Sequence, residues 1–526
     1  MTLHFNLLEE PLIRTRLVEN GQPQSFTLPG LFPALAHDVV RDFPAVRPHQ
    51  RHPWHAFLVQ LAVIALHKAG RSAPFESEDE WKQALLDLTP GDLDGAAWCL
   101  VSPIDRPAFM QAPVPNKAQN WKNTLRSADE LDMLVTSKNH DLKAARMRQS
   151  EPDEWLMALV SLQTQEGFLG SGNYGVSRMN GGFASRPALG VVPRGGWGLR
   201  WLRDVLILLE KREQIVATQG LSRNDGIALL WLLPWDGTQS LAFSSLDPFY
   251  IEICRLIRLQ GTERSLSAVT SGSKAARIES KLRNGVTGDP WIPVETSAAK
   301  ALTIRAGGFH YRLASELLFG SKFTKPIAQL PNTRDGSTGL VVLAQGVTRG
   351  QGKTEGYHER RIPISAKAQR LLMQNKADVL AKMAEYRVNA ISQMRSNLRT
   401  ALAILFDQGA AIKELSDAAK NKASPYCDLF EKREDARFFS SLNDEVESDN
   451  QEGERMNWLL SMANNAEEIL KQAFHAGPQS GEQRYRARAA ALSWFHAGLR
   501  SPKTIPDLAN YLKQRSTSKE LANEHR

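Results

Sequence analysis

The sequence predicts an α+β protein in which a large, irregular mixed α/β N-terminal domain over residues 1–362 is followed by a C-terminal antiparallel helix bundle over residues 363–526. The first part mixes short strand-like runs with glycine-rich loops and few helices, whereas from Ser365 apolar residues recur every three or four positions. A chain of 526 residues also exceeds what one hydrophobic core usually organises. These observations together predict two domains of different character.

The opening residues predict a strand, a turn and a second strand. Apolar and polar side chains alternate over residues 12–18, Asn20-Gly21 is typical of a tight hairpin turn, and residues 24–28 predict the returning strand. Farther along, apolar residues at helical spacing predict a helix over residues 55–68. The rest of the domain predicts short elements joined by long loops, and loops of that length suggest function.

The helix bundle is predicted from five helical patterns separated by short polar breaks. The first pattern has Ile391, Met394 and Leu398 at steps of three and four, and as one straight helix it would be about 60 Å long. Short breaks favour antiparallel neighbours. The five patterns cover residues 367–408, 410–422, 425–447, 455–475 and 481–499.

The charge distribution favours a polyanionic partner. The chain has a net charge of +8 and a pI of about 9.3, a modest surplus for its length, so the placement of the charges matters more than their sum. Each basic cluster alone also fits a solvated surface, but together, with several beside glycines or in loop-like sequence, they favour contact with phosphate. The clusters lie near residues 41–51, 138–148, 194–203, 353–370 and 484–500.

The N-terminal residues lack the basic region and the long apolar region of a signal peptide. The longest apolar stretch, near residues 57–66, is too short and too interrupted to span a bilayer. We therefore expect a cytoplasmic protein without a membrane partner.

No strong catalytic or metal-binding motif is present in the sequence. Cys99, Cys254 and Cys427 lie far apart and form neither a disulfide framework nor a C-x-x-C zinc half-site. His52 and His55 lack a third ligand nearby and fit the start of a helix better than a metal site. Phosphate-binding, zinc-protease and nucleophile-elbow motifs are absent as well. We expect no metal, no cofactor and no enzymatic activity.

Several short motifs occur in an order that is similar to one known family. In chain order they are Asn6-Leu7-Leu8 with Pro11-Leu12-Ile13, the run from Arg106 to Gln111, the glycine loop Gly167–Gly175 with Gly181-Gly182-Phe183, Arg349-Gly350-Gln351-Gly352, Glu359-Arg360-Arg361, and the terminal helix bundle. In this order they resemble the CasA family, the large subunits of type I-E CRISPR Cascade complexes. Two departures are a missing cysteine zinc cluster and a longer loop between Gln351 and Glu359.

The resemblance implies a subunit of an RNA-guided antiviral complex. Base pairing with the guide RNA reads the target sequence in such complexes, while protein reads a short duplex motif, the PAM, and starts strand separation to form an R-loop. The implied partners are the guide RNA, the backbone, small-subunit and handle-binding proteins, a double-stranded DNA target and a helicase-nuclease.

The resemblance also suggests site residues. A glycine loop brings backbone amides close to base edges in a minor groove about 6 Å wide. Gln351 would act as a wedge at the first base pair, with Arg349 and Lys353 on phosphates. The proposed residues are Gly170, Gly172, Asn173 and Gly175 in the glycine loop; Arg349, Gln351 and Lys353 in the wedge; Lys274, Lys281, Arg484, Arg486, Arg488 and Arg500 as DNA-contacting cations, the four arginines on an opened strand; and Lys138, Asn139 and His140 as contacts to the 5′ handle of the guide.

Two alternatives stay open. The chain could be the large subunit of another type I complex or of a variant with a fused nuclease. It could also be an unrecognised nucleic-acid hydrolase, since His140-Asp141 could belong to a metal-dependent nuclease site.

Overall fold

The computed structural model describes residues 3–114, 121, 123–132, 150–181, 186–262, 265–350 and 353–524, with backbone alone at 349–350, 353–355 and 516–524. The chain divides into two compact units. Unit 1 comprises residues 1–309, 321–336 and 340–362, and unit 2 comprises residues 310–320, 337–339 and 363–526.

Unit 1 combines short helices with many short strands. Its helices are α1 (Leu28–Ala36), α2 (Arg51–Lys68), α3 (Glu78–Asp87), α4 (Pro152–Gln165) and α5 (Trp197–Gln219). Its strands are β1 (His4–Asn6), β2 (Ile13–Leu17), β3 (Pro23–Phe26), β4 (Val40–Asp42), β5 (Cys99–Val101), β6 (Asn123–Leu125), β7 (Ala188–Val192), β8 (Ile227–Leu229), β9 (Leu241–Ala242), β10 (Leu246–Ile251), β11 (Leu256–Thr262), β12 (Ser265–Ser271), β13 (Ile278–Glu279), β14 (Val294–Glu295), β15 (Lys300–Ala301), β16 (Phe323–Thr324), β17 (Leu340–Gly350) and β18 (Lys353–Ile364).

The strands form small separate sheets. Three pairs are β1 with β5, β8 with β10, and β9 with β13; the three-stranded sheets are β3-β2-β4, β11-β12-β6, β15-β14-β16 and β18-β17-β7. The predicted N-terminal hairpin is present, because β2 and β3 pair antiparallel around a turn in which Gly21 has φ of 69°. Such small sheets match the irregular α/β character that the sequence predicts.

The core of unit 1 surrounds α2. Nearly all of this helix is buried, and it packs against α4, α5 and β10. Aromatic side chains fill the space beside it: the ring of Phe32 lies 4.4 Å from that of Trp81 and 5.7 Å from that of Trp201. A helix buried on all sides has little amphipathic signal, yet the spacing of its apolar residues was sufficient to predict it.

Unit 2 is helical, which confirms the predicted α+β class. Its helices are α6 (Tyr311–Phe319), α7 (Ala366–Met373), α8 (Ala377–Phe406), α9 (Asp417–Glu447), α10 (Gln451–Gln472), α11 (Gly481–Leu499) and α12 (Pro506–Glu524). Arg387 of α8 is buried and donates to Glu445 of α9 at 2.8 and 3.0 Å, while its guanidinium lies 4.3 Å from the centroid of the Trp458 ring of α10. This ion pair and ring contact join the three long helices.

Three details of unit 2 differ from the sequence prediction. The first helical pattern breaks between α7 and α8, where Asn375 adopts a left-handed φ of 57°. The break predicted before Pro425 is wrong: α9 continues through it, because Ala423 and Cys427 on either side pack into the same core. α6 precedes the predicted boundary but belongs to unit 2, where the Tyr311 amide donates to Asp435 at 2.5 Å.

Candidate nucleic-acid interface

The glycine loop, residues 167–175, is a short hairpin-like turn. The Asn173 amide donates to the Gly170 carbonyl at 3.0 Å, and the Leu169 amide donates to the Asn173 carbonyl at 2.9 Å. Gly170 and Gly172 have φ angles of 124° and 85°, in a region that side chains other than glycine rarely adopt. Asn173 is exposed at the tip.

The base of the loop is closed and firmly held. A Cβ on Gly175 would lie 2.5 Å from the carbonyl carbon of Gly167, so only glycine fits there. The buried Arg255 guanidinium donates to the Gly167 carbonyl at 2.9 Å, and Gln163 of α4 accepts the Arg255 amide at 2.8 Å. The loop therefore projects from the core on a rigid base, which lowers the entropy lost on binding.

A second segment borders the glycine loop. We call residues 272–285 the strap. The Ser273 amide donates to the Gly172 carbonyl at 2.9 Å, and Gly285 packs against the backbone of Met179 and Asn180 just beyond the loop. The two contacts place Lys274 beside the loop and Lys281 in the same strap, and both lysines are exposed. The structure thus groups two sets of residues that the sequence suggested separately.

A buried arginine, Arg277, holds the strap in place. Arg277 donates to the carbonyls of Leu230 and Leu233 at 3.1 Å, and its guanidinium lies 5.3 Å from the centroid of the Trp235 ring. Burial lowers the pKa of Arg277 to about 10, which still leaves it charged at neutral pH. The amides of Lys274 and Ala275 also both donate to the Gly237 carbonyl.

The wedge prediction falls where β17 ends and β18 begins. Gln351 lies outside the described residues, and only the backbone of Arg349 and Lys353 is described, at the ends of these strands. The stem of this hairpin is well anchored. Gln345 donates to the Tyr357 hydroxyl at 2.7 Å, and that hydroxyl donates to Glu359 at 2.7 Å. Burial and the neighbouring Glu359 raise the pKa of Tyr357, so the hydroxyl keeps its proton.

The four arginines of unit 2 have different environments. Arg486 and Arg500 are exposed, whereas Arg488 is half-buried and donates to the Phe474 carbonyl at 3.3 Å, with its guanidinium 5.1 Å from the centroid of the Phe474 ring. The Arg484 guanidinium lies 5.2 Å from the centroid of the exposed Tyr485 ring. Arg486 and Arg500 are fourteen positions apart along α11 and its C-terminal cap, which is close to four helical turns, so they lie on one face about 21 Å apart.

Solved structures with a similar architecture are known. No protein-family model matches the chain, and no curated protein matches it. Solved structures do. The crystal structure of the CRISPR-associated protein Cse1 from Acidimicrobium ferrooxidans matches with a TM-score of 0.66 at 16% identity, covering 95% of this chain and 98% of that one. CasA (Cse1) from Thermus thermophilus matches with a TM-score of 0.62 at 15% identity, covering 95% and 99%. The chain has the CasA (Cse1) fold.

A third match connects the CasA fold to an assembly. A chain of a structure described as a CRISPR RNA-guided surveillance complex matches with a TM-score of 0.51 at 14% identity, over 94% of this chain and all of that one. The matches cover both units, so the resemblance inferred from short motifs is confirmed at the level of the fold. The residues Arg255 and Arg277, which hold the glycine loop and the strap, had no local sequence signal.

The remaining predicted site residues lie outside what the structure describes. Lys138, Asn139 and His140, suggested as contacts to the guide handle, fall in the undescribed stretch 133–149. The residue before it, Asp132, is buried and accepts from His49 at 2.8 Å and from Arg47 at 2.9 Å. These bonds fix the chain at the point where that stretch begins.

The structure places the two histidines of α2 and the three cysteines in buried positions. His52 and His55 are buried on α2, and His55 pairs with Asp204 at 2.9 Å. Within the described residues, no three His, Cys, Asp or Glu side chains are placed to hold a metal together. Burial raises the pKa of Cys254 to about 12, which disfavours the thiolate that a cysteine nucleophile needs.

Among the residues that the structure describes, no helix is both long and apolar enough to cross a bilayer.

Proposed function

We propose that this chain is the large subunit of a type I-E Cascade-type, RNA-guided complex, in which it reads a short motif in duplex DNA and begins to open the duplex. One observation carries the proposal: in a chain with the CasA fold, the glycine loop and the lysine-bearing strap form one surface. The Ser273-to-Gly172 hydrogen bond joins the loop to the strap, and Lys274 and Lys281 are both exposed on the strap.

The proposed reading surface has two chemical parts. Backbone amides and the exposed Asn173 of the glycine loop offer hydrogen-bond donors, and the glycines at 170 and 172 leave no side chain to obstruct a narrow groove. Lys274 and Lys281 contact the flanking phosphates, where each cation adds affinity without sequence information. Gly175 and Arg255 keep the loop in one conformation and so favour a single register on the duplex.

We assign strand opening to the β17–β18 hairpin, with Gln351 as the wedge and Arg349 and Lys353 on neighbouring phosphates. The anchored stem supports this role, because unstacking a base-pair step costs a few kcal/mol and the inserting side chain needs a firm base. The displaced strand then lies along the exposed arginines of unit 2, and Lys138, Asn139 and His140 contact the guide handle. Cutting belongs to a separate helicase-nuclease, and this subunit is non-catalytic.

Purification of the chain with the products of its neighbouring genes tests the proposal. We expect a guide RNA of uniform length to copurify and a duplex motif to emerge from selection on a randomised DNA library. The assembled complex without a nuclease should leave the DNA uncut. A stable complex that contains no RNA, or metal-dependent cleavage lost in a His140→Ala variant, would contradict it.

The arginines of unit 2 give a graded prediction. Replacing exposed Arg486 and Arg500 together by glutamine should reduce the slope of log affinity against log salt for single-stranded DNA by about 1.4, because two phosphate contacts disappear. Arg488→Gln should leave that slope almost unchanged and lower the thermal stability of the full chain, since its charge is engaged at Phe474. Equal slopes for wild type and the double variant would show that Arg486 and Arg500 are only a solvated face.

A further inference from the structure

The strap carries an exposed leucine between two cations. Leu282 is 94% exposed and lies in a short 3-10 turn with Lys281 and Arg283 on either side. A single exposed leucine is ordinary on a protein surface. The turn that presents Leu282, and the surface on which it lies, are the unusual features.

The turn is built to hold one conformation. The Arg283 amide donates to the Ser280 carbonyl at 2.9 Å, and the Arg283 guanidinium lies 3.7 Å from the centroid of the Phe243 ring. Two consecutive left-handed residues follow, Asn284 with φ of 49° and Gly285 with φ of 79°. These contacts leave the leucine side chain at the tip of a fixed turn.

The far side of the turn is fixed against the segment that follows the glycine loop. A Cβ on Gly285 would lie 2.8 Å from the carbonyl carbon of Met179, so the backbones are in close contact there. The Asn284 carbonyl accepts the Ala301 amide at 3.0 Å, which secures the same turn. Leu282 therefore belongs to a strap that contacts the glycine loop at one end, through Ser273, and the segment after the loop at the other, through Gly285.

A second leucine offers a comparison within the same unit. Leu93 is 98% exposed, but its neighbours Asp92 and Asp94 are acidic, and both pair with Arg106. Phosphates would be repelled by carboxylates beside Leu93 and attracted by Lys281 beside Leu282. The two leucines are almost equally exposed, and only Leu282 has neighbouring charges that attract a nucleic acid.

We infer that Leu282 is an apolar wedge that inserts at a base-pair step of the motif duplex, while Lys281 contacts the adjoining phosphate. The inference rests on the proposed function and adds a second contact, separate from the β17–β18 hairpin. Minor-groove proteins use leucine in this way, partly unstacking one step and recovering the cost through added contacts. The rigid turn serves this role because little conformational entropy is lost when the side chain inserts.

The test uses the full chain in its complex and a motif duplex, selected from a randomised library, with 2-aminopurine placed at successive steps. We expect wild type to raise the fluorescence at one step beside the motif. Leu282→Gln should remove most of that rise and weaken motif binding about fivefold, as burial of one leucine side chain contributes at least that much. Leu282→Met should restore both, because methionine keeps the apolar volume.

Leu93→Gln is the matched control and should behave as wild type. A wild-type complex that shows no motif preference would overturn the proposed function itself. If wild type reads the motif but Leu282→Gln gives the wild-type fluorescence, the inference about Leu282 is wrong and the proposed function stands. A Leu282→Gln variant that loses a subunit of the complex and keeps the fluorescence would assign the turn to a protein contact and overturn it as well.

Discussion

A Gly172→Asp variant is expected to bind the motif duplex at least tenfold more weakly than wild type. Gly172 lies at the contact between the glycine loop and the strap, where Ser273 donates to its carbonyl. A Cβ on Gly172 would lie 3.5 Å from the Gly272 Cα, so the carboxylate would stand beside the strap and repel the phosphates that Lys274 attracts. Two like charges about 4 Å apart near a protein surface repel by about 4 kcal/mol. Pre-opening the target should not rescue binding, because the charge prevents docking before any base pair separates.

Two further variants separate charge from backbone strain. Gly172→Asn has nearly the same shape and the same unfavourable φ of 85° without the charge, so it should lose clearly less affinity. Ser171→Asp places a carboxylate on the exposed neighbouring residue, which has no left-handed φ, and should weaken binding nearly as much as Gly172→Asp. Equilibrium binding at two salt concentrations measures all three. Equal losses for the Asp and Asn variants would mean that backbone distortion, and not charge near DNA, explains the effect.

The helix bundle shows what periodicity alone can predict. Apolar residues recur at steps of three and four in α8, α10 and α11 because one face of each helix is buried in the bundle. The sequence pattern therefore predicted these helices. α9 was divided in the prediction at a short polar break before Pro425, but the helix continues because burial on both sides of Pro425 outweighs the hydrogen bond that proline cannot make. α12 carries a weak apolar pattern and was not predicted.

The candidate interface shows the limit of local patterns. The glycines of the loop were evident from the sequence, but their conformational reason was not: Gly175 is required by the backbone of Gly167. The strap contacts Gly172 but lies far from it along the chain, and no local sequence pattern predicts that contact. Arg255 and Arg277 donate hydrogen bonds to backbone carbonyls. Every residue has a backbone carbonyl, so no residue type in the sequence predicts which carbonyl accepts.

The two histidines of α2 were predicted to mark a helix start rather than a metal site, and the structure gives them a different physical importance. Both are almost fully buried, and neither ring nitrogen of His52 has a hydrogen-bond partner among the described residues. Burial and the nearby Arg186 and Arg200 lower the pKa of His52 well below its usual value. Burial and Arg200 likewise lower the pKa of His55 to about 4, although its bond with Asp204 opposes the shift.

These pKa shifts predict that unit 1 loses stability in mild acid. An unfolded histidine has a pKa of about 6.5, whereas the two buried histidines have lower pKa values in the folded chain. As the pH falls below 6.5, the unfolded chain therefore binds protons at these positions and the folded chain does not. The free energy of unfolding therefore falls between pH 6.5 and 4, by about 3 kcal/mol for His55 alone. Above pH 6.5 both states are neutral at these sites, and the contribution to the pH dependence vanishes.

A His52→Phe variant tests this mechanism with little change in shape. The ring keeps its position near Trp291, 5.4 Å away between centroids, and loses two buried nitrogens that have no hydrogen-bond partner among the described residues. We expect unchanged or slightly higher stability at pH 7.5 and a clear gain over wild type at pH 5, because phenylalanine does not titrate and the lowered pKa of His52 no longer favours the unfolded chain in acid. Denaturant unfolding followed by tryptophan fluorescence reports mainly on unit 1, since of the twelve tryptophans only Trp458 and Trp494 belong to unit 2. His37→Phe, at an exposed position, is the control and should keep the wild-type pH dependence. If His52→Phe and wild type lose stability in parallel between pH 7.5 and 5, the acid sensitivity of unit 1 does not arise from His52.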